Sequence, residues 1–139
     1  MKKILILIVL VIVVLYAALN HKFLLAITYL YDNDFSNDSK AINLLKDATY
    51  NDGDIKSTFL LGYYYKTQKF KAINLKKSHK YYLMAANRGD NKAKMLVAWN
   101  FYKGIGCIKN LNKAKELLTE LAINGNSDAK EILKFVMRN

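Results

Sequence analysis

Apolar residues recur along most of this chain three or four positions apart, a spacing that gathers them on one face of an α-helix. One such set is Ala93, Leu96, Val97 and Phe101, and the next is Ala114, Leu117, Leu118, Leu121 and Ala122. Gly104 and Gly106 lie between the two sets, and Gly125 follows the second. Because glycine commonly ends helices and Asn110 is a good N-cap residue, the pattern predicts two helices joined as a hairpin.

The same pattern returns at a spacing of 36 residues. Leu61-Gly62-x-x-Tyr65 corresponds to Val97-Ala98-x-x-Phe101 downstream and to Leu25-Ala26-x-x-Tyr29 upstream. A period of this length is typical of stacked helical units, since a lone hairpin cannot bury its own apolar face. We therefore expect one array over 21–139, with units 21–56, 57–92 and 93–128 and a closing helix at 129–137.

The first twenty residues have a different composition. Met1-Lys2-Lys3 is followed by sixteen positions, 4–19, without a charged residue. Two interpretations fit: an uncleaved signal anchor or transmembrane helix over 1–20, and a cleaved signal peptide. A signal peptidase prefers small residues at positions −3 and −1 of its cleavage site. A cut after Ala18 would put Tyr16 at −3, and a cut after Ala17 would put Leu15 there. We therefore favour the anchor.

The orientation of such an anchor follows from its flanking charges. Sixteen helical residues span about 24 Å, less than the ~30 Å hydrocarbon core, but Phe23-Leu24-Leu25 continues the apolar run and Lys22 can extend to the surface. Lys2 and Lys3 outnumber Lys22, which places the amino terminus in the cytoplasm. The expected location is the inner membrane, with a single pass and with the repeats on the periplasmic or extracellular side. The alternative is a protein secreted to the periplasm after signal cleavage.

Short motifs in two units resemble the Sel-one-like repeat (SLR) family, a relative of the tetratricopeptide repeat. In the second unit they are Leu61-Gly62-Tyr63-Tyr64-Tyr65, Lys77-Ser78 and Ala85-Ala86-Asn87-Arg88-Gly89. In the third unit they are Gly104-Ile105-Gly106, Lys113-Ala114 and Ala122-Ile123-Asn124-Gly125. The resemblance covers roughly residues 21–137. It implies an all-α fold: an α/α superhelical solenoid of about three SLR hairpins plus a C-terminal helix, which follows the N-terminal signal-anchor helix. It also implies an inner face that holds other proteins, and no catalytic centre. Some secreted members are rich in disulfides, whereas Cys107 is the only cysteine here and cannot form an intramolecular bridge.

The resemblance also implies a concave groove lined by the first helix of each unit. The positions carried over are Phe59, Tyr63, Lys66 and Thr67 in the second unit, Met95, Trp99, Tyr102 and Lys103 in the third, and Phe23, Ile27, Leu30 and Tyr31 in the first. Aromatic rings beside basic residues have the composition of an interaction hot spot. The alternative for each ring is packing between units, which is as well supported for Phe59 and Met95 as the groove. We assign Tyr65 and Phe101 to the core.

The charge of the chain bears on the partner. With 22 Lys and Arg against 11 Asp and Glu, the net charge of +11 suits an acidic protein, anionic lipid or nucleic acid, or a solvated lysine surface. We expect no nucleic acid, because Arg88 and Arg138 are the only arginines, the lysines are scattered over every unit, and the expected location is outside the cytosol. The expected partners are another protein, with an acidic one suited to this charge, and the membrane through the N-terminal helix.

Candidate catalytic chemistry is sparse. His21 and His79 are the only histidines, and no spacing of cysteine, histidine and carboxylates resembles a metal site. The acidic stretch 32–38 lacks the glycine and glutamate of a calcium loop and suits turns and caps better. We therefore expect no enzyme, cofactor or metal. The expected function is an interaction module, either an adaptor or a toxin-neutralising immunity-type protein. The alternative is a cell-envelope ligand-binding protein or enzyme that acts on wall fragments, which would need a polar, convergent pocket.

Overall fold

A computed structural model describes residues 2–31, 37–67 and 73–138, with the backbone alone for 2–5, 13 and 19. These ranges contain helices, turns and loops and no strand, so the all-α class is confirmed. The helices are α1 (Lys2–Tyr31), α2 (Asp38–Tyr50), α3 (Ile55–Lys66), α4 (Leu75–Asn87), α5 (Asn91–Lys103), α6 (Leu111–Ile123) and α7 (Ser127–Arg138). The helices α3, α5 and α7 each begin two residues before the unit boundary drawn from the repeat. Most of the acidic stretch 32–38 lies outside the described residues.

The chain divides into two compact units, residues 1–57 and 58–139. In the first, α1 packs on α2 through buried Ala26 and Leu30 of α1 and Ala41, Leu45 and Ala48 of α2. In the second, α4 packs on α5, α5 on α6, and α6 on α7. Within each unit these neighbouring helices therefore pack on one another, as expected for helical hairpins.

The N-terminal helix α1 continues past residue 20, where the sequence suggested the anchor would end. Side chains 6–12 and 14–18 are all exposed. Within the described ranges, no single helix meets the length and hydropathy of a membrane span. One pair of segments, Ile6–Ala18 and Asn20–Tyr31, meets them together and is bent by 42°.

Polar caps fix where five of the helices begin. In each case a side-chain oxygen accepts a hydrogen bond from the backbone N–H three residues later, at 2.7–3.0 Å. The capping residues are Asp54, Asn74, Asp90, Asn110 and Asn126. The predicted cap at Asn110 is therefore confirmed, and Gly104 ends α5 with φ of +74°. The capping positions repeat with the same spacing of 36 as the apolar ones.

A small residue on the first helix of each hairpin faces a larger one on the second. In the second repeat the Tyr82 ring lies against Gly62, and the Ser78 hydroxyl donates to the Gly62 carbonyl at 2.7 Å. The equivalent pair one repeat later is Ala98 and Leu118, both fully buried in the same core cluster. The hairpin with tyrosine on its second helix therefore has glycine opposite, and the hairpin with leucine has alanine. The tyrosine ring is larger and occupies the space that an alanine methyl group would fill.

A lysine over an aromatic ring links the two helices of each hairpin. The ammonium-to-centroid distances are 5.8 Å for Lys40 over Tyr29, 5.2 Å for Lys77 over Tyr65 and 5.4 Å for Lys113 over Phe101. Both Tyr65 and Phe101, which we assigned to the core, are half-buried at its edge. A cation in the first turn of a helix is unfavourable for the helix dipole, so contact with the ring offsets that cost.

Replacing Ser57 with alanine is expected to stabilise the protein by about 1 kcal/mol. Ser57 is fully buried, and its hydroxyl has no hydrogen-bond partner among the described residues. The equivalent positions in the later repeats are Ala93 and Ala129. The measurement is the urea midpoint of the full chain. Ser78→Ala is the matched control and should lower stability, because the Ser78 hydroxyl donates to a buried carbonyl. A lower midpoint for Ser57→Ala would contradict the expectation.

Candidate partner-binding surface

Of the twelve positions predicted to line the groove, four lie on α1, where Leu30 is buried, and Thr67 follows the end of α3. The other seven lie on α3 and α5, and their exposure differs. Half of the Tyr63 side chain is exposed, at 51%, and Lys66 and Lys103 are also exposed. Phe59, Met95 and Trp99 are half-buried, whereas Tyr102 is buried, at 8% exposed. The candidate surface is therefore uneven, with two aromatic rings that are partly or largely covered on α5.

Five side chains on and around α5 form one group, which we call the α5 aromatic–lysine cluster. Its members are Trp99, Tyr102, Lys103, Lys109 and Phe135. The Lys103 ammonium lies 5.2 Å from the Trp99 ring centroid and 4.8 Å from that of Tyr102. These three residues share one helix face, because they are three and four positions apart. The cluster therefore presents a positive charge held over aromatic rings.

The other two members of the cluster, Lys109 and Phe135, lie outside α5. The Lys109 ammonium, in the loop before α6, lies 5.9 Å from the Tyr102 centroid. The Phe135 ring, on α7, meets the Tyr102 ring edge-on at 6.0 Å. Neither contact follows from the spacing along α5, so sequence reasoning missed both.

Tyr102 joins the cluster to the buried core. It belongs to the core that α5 shares with α6 and α7, together with Ala98, Leu118 and Val136. Its ring therefore offers little surface to a partner, while Trp99 beside it, at a ring distance of 5.4 Å, is only half-buried. A substitution at Tyr102 would disturb the core, so Trp99 is the better position at which to test binding.

The α3 residues form a separate group. Phe59 packs on Tyr82 of α4, with ring centroids 5.3 Å apart, which leaves Tyr63 and Lys66 as the exposed members. Burial, together with the neighbouring Tyr63, raises the pKa of Tyr82 to about 12, so its phenol stays protonated.

Positive charge is concentrated in the second compact unit. Residues 58–139 contain sixteen Lys and Arg against five Asp and Glu, whereas residues 1–57 contain six of each. In the first unit Lys22 pairs with Asp47 at 2.5 Å and with Asp52 at 2.8 Å. Of the described residues of the second unit, only Lys94 and Glu120 form an ion pair, at 2.6 Å. The net charge of the whole chain therefore lies in the unit that carries the candidate surface.

The remaining reactive groups do not converge. The described part of the chain contains no group of three His, Cys, Asp or Glu side chains able to hold a metal ion. Cys107 is half-buried, and burial raises the pKa of its thiol, which disfavours the reactive thiolate. A surface cavity of about 390 Å³ beside the cluster is lined by Lys109, Asn110, Leu111 and Asn112, without a carboxylate.

Acid is expected to destabilise the second unit through His79. This side chain is buried, its Nδ1 lies 3.3 Å from the Asn100 amide, and its ring meets Phe101 at 5.1 Å. Burial lowers the pKa of His79, so the unfolded chain binds its proton more readily than the folded one. Stability should therefore be complete above about pH 6.5 and fall as the pH drops below that value.

The measurement for His79 is the urea midpoint of the full chain between pH 7.5 and pH 5. The variant His79→Gln should remove part of the decline, while His21→Gln, at an exposed position, is the control and should leave it unchanged. Identical pH profiles for wild type and His79→Gln would contradict this role.

Solved structures with the same fold carry related sequences. A Sel1 repeat protein from Oxalobacter formigenes is 30% identical with a TM-score of 0.70, over 84% of this chain and 87% of that chain. Helicobacter pylori cysteine-rich protein B is 25% identical with a TM-score of 0.61, over 68% and 71%. The uropathogenic Escherichia coli protective antigen c5321, which displays an SLR fold, is 27% identical with a TM-score of 0.62, over 69% of this chain but 20% of that one. No family model and no curated protein matches the sequence. The repeat motifs, the helical hairpins and these relatives agree: the chain belongs to the Sel1-like repeat (SLR) family.

Proposed function

We propose that this protein is a membrane-anchored interaction module that holds another protein on its α5 aromatic–lysine cluster. The observation that carries the proposal is Lys103, whose ammonium lies over the rings of Trp99 and Tyr102 at the surface of a strongly basic unit. Aromatic side chains that are backed by a packed core and flanked by cations have the character of binding hot spots. The SLR relatives support an interaction role.

An interaction role suits this surface better than catalysis on wall fragments. Such catalysis would need convergent carboxylates to act as acid and base. The cavity beside the cluster is lined by lysine, asparagine and leucine instead. Within the interaction class, we propose an adaptor or an immunity-type protein that neutralises a delivered toxin, and the identity of the captured partner would distinguish these two roles.

The proposed partner binding is tested by crosslinking in native membranes followed by purification of the tagged full chain. We expect one protein to co-purify with the wild type, to be lost with Trp99→Ala and to be retained with Ile123→Ala. Ile123 is the matched control, because its apolar side chain is 79% exposed at the far end of α6. If Trp99→Ala retained the same partner, the partner would bind elsewhere than on the α5 aromatic–lysine cluster.

The membrane anchor is proposed from the exposed apolar surface of α1. Within residues 6–18 every described side chain is exposed and none is charged, an arrangement that is unfavourable in water and favourable in hydrocarbon. The lysines that precede this stretch support an orientation with the amino terminus in the cytoplasm and the repeats on the outer side. Secretion after signal cleavage is the alternative, and it would release the repeats from the membrane.

Single-cysteine labelling tests the anchor and its orientation. In a Cys107→Ala background, Ile108→Cys places a thiol at a position that is 90% exposed, and Lys2→Cys places one before the apolar stretch. We expect a membrane-impermeant maleimide to label the first variant in intact spheroplasts and the second only after lysis, with both in the membrane pellet. Labelling in the reverse order would overturn the orientation, and recovery of Ile108→Cys in the soluble fraction would overturn the anchor.

A further inference from the structure

We propose that the α5 aromatic–lysine cluster recognises an acidic protein segment in which two carboxylates and one apolar side chain project from the same face. This inference rests on the proposed interaction function and names the chemistry of the partner. It follows from three features of the second unit: its excess of positive charge, the two ammonium groups near the Tyr102 ring, and the half-buried Trp99 ring beside one of them.

The charge of the second unit favours an anionic partner. Its sixteen cationic side chains face five acidic ones, and a single ion pair forms among its described residues. Neither Lys103 nor Lys109 has a carboxylate within ion-pair distance in the described part of the chain. An incoming carboxylate would therefore meet free ammonium donors without having to displace an internal partner.

The positions of the two ammonium groups limit how far apart two bound carboxylates can lie. Both lie close to the Tyr102 centroid, Lys103 at 4.8 Å and Lys109 at 5.9 Å, so they are at most about 11 Å apart. Side chains two residues apart in an extended segment project from the same face, about 7 Å apart. Two glutamates in a Glu-x-Glu sequence lie within this limit, and an apolar residue two positions further along would project from the same face.

The half-buried Trp99 gives the segment its apolar contact. Its ring is fixed from one side by Tyr102 and Lys103, so little conformational entropy is lost when a partner covers the rest. Bases of single-stranded nucleic acid would need an open ring face for stacking, and the Lys103 ammonium lies over both rings. Anionic bilayers favour bulky apolar side chains that insert, whereas Tyr102 is buried and Trp99 is half-buried. A protein segment suits this surface best.

Trp99 is the only tryptophan, so its fluorescence reports directly on the proposed site. The full chain in detergent is titrated with a peptide of two Glu-Ser-Glu-Ser-Leu-Ser repeats, in which the glutamates and leucines share one face when the peptide is extended. In parallel, it is titrated with the same peptide carrying Gln for every Glu. We expect a saturable change in Trp99 emission with the acidic peptide and none with the neutral one. Higher salt should weaken the binding, because these charge pairs lie at the surface.

Matched lysine variants distinguish binding at the α5 aromatic–lysine cluster from attraction by the overall positive charge. The double variant Lys103→Gln/Lys109→Gln should weaken the acidic peptide about tenfold. Lys80→Gln/Lys130→Gln removes the same charge from exposed positions outside the α5 aromatic–lysine cluster and should leave the affinity within about twofold of wild type. Equal weakening by both double variants would show attraction by diffuse charge and would overturn the site.

Two further probes decide between classes of partner. Phosphatidylglycerol vesicles and a twelve-nucleotide thymidine strand are titrated in the same way. A response to either without a response to the acidic peptide would overturn the inference in favour of lipid or nucleic acid, as would equal binding of the acidic and neutral peptides. The interaction function is judged separately, by whether Trp99→Ala loses a captured partner, so it could stand where the acidic specificity fails.

Discussion

Replacement of Gly106 by alanine is expected to lower the free energy of unfolding by about 3 kcal/mol. Gly106 has φ of +68° in the loop between α5 and α6, and a Cβ there would overlap the carbonyl of Leu75 at the start of α4. Because that neighbour is backbone, relief requires the loop or the helix to move. The measurement is equilibrium unfolding of the full chain in urea.

The control for this prediction is two residues away. Gly104 has a similar φ of +74°, but a methyl group added there would have its nearest neighbouring atom 3.5 Å away, an ordinary contact distance. Gly104→Ala should therefore carry only the cost of the left-handed conformation, about 1 kcal/mol. Similar losses for the two variants would show that the close approach of the loop to α4 contributes nothing.

Gly62→Ala is expected to destabilise the protein by about 1–3 kcal/mol, even though alanine favours helices more than glycine does. A Cβ at Gly62 would lie 2.6 Å from Cδ1 of the Tyr82 ring, which is 2% exposed and held by its neighbours. Thermal unfolding of the full chain followed by circular dichroism should show the loss as a lower midpoint.

The other repeats suggest how this loss can be repaired. They combine alanine at the small position with leucine opposite, as in Ala98 and Leu118. In Gly62→Ala/Tyr82→Leu the clash is absent, so the double variant should be more stable than Gly62→Ala alone. Tyr82→Leu alone should be destabilising, because it opens a gap beside Phe59. Strictly additive losses would contradict the proposed pairing of sizes.

The spacing of 36 residues predicted the hairpins, the cap at Asn110 and the end of α5 at Gly104, because these features depend on residues near one another in the chain. The caps at Asp54, Asp90 and Asn126 follow the same period and could have been found with it. Local periodicity thus defines the helices well.

The candidate surface was less predictable, because contacts between distant segments decide it. Tyr102, which the sequence predicted to line the groove, belongs to the buried core and meets Phe135 of α7 edge-on. Lys109 reaches the same ring only because the glycine loop turns back. The concentration of charge after residue 57 was visible in the sequence, but its meaning depended on where the compact units divide.

The most direct test of the central claim is site-specific photo-crosslinking in intact cells, with a benzophenone amino acid in place of Trp99. Lys80 and Lys130, both exposed and outside the α5 aromatic–lysine cluster, provide the control positions. We predict one crosslinked protein from position 99 and none from the controls, with mass spectrometry locating the crosslink in an acidic segment of the captured protein. Equal crosslinking from all three positions, or none from position 99, would contradict the claim that this surface binds the partner.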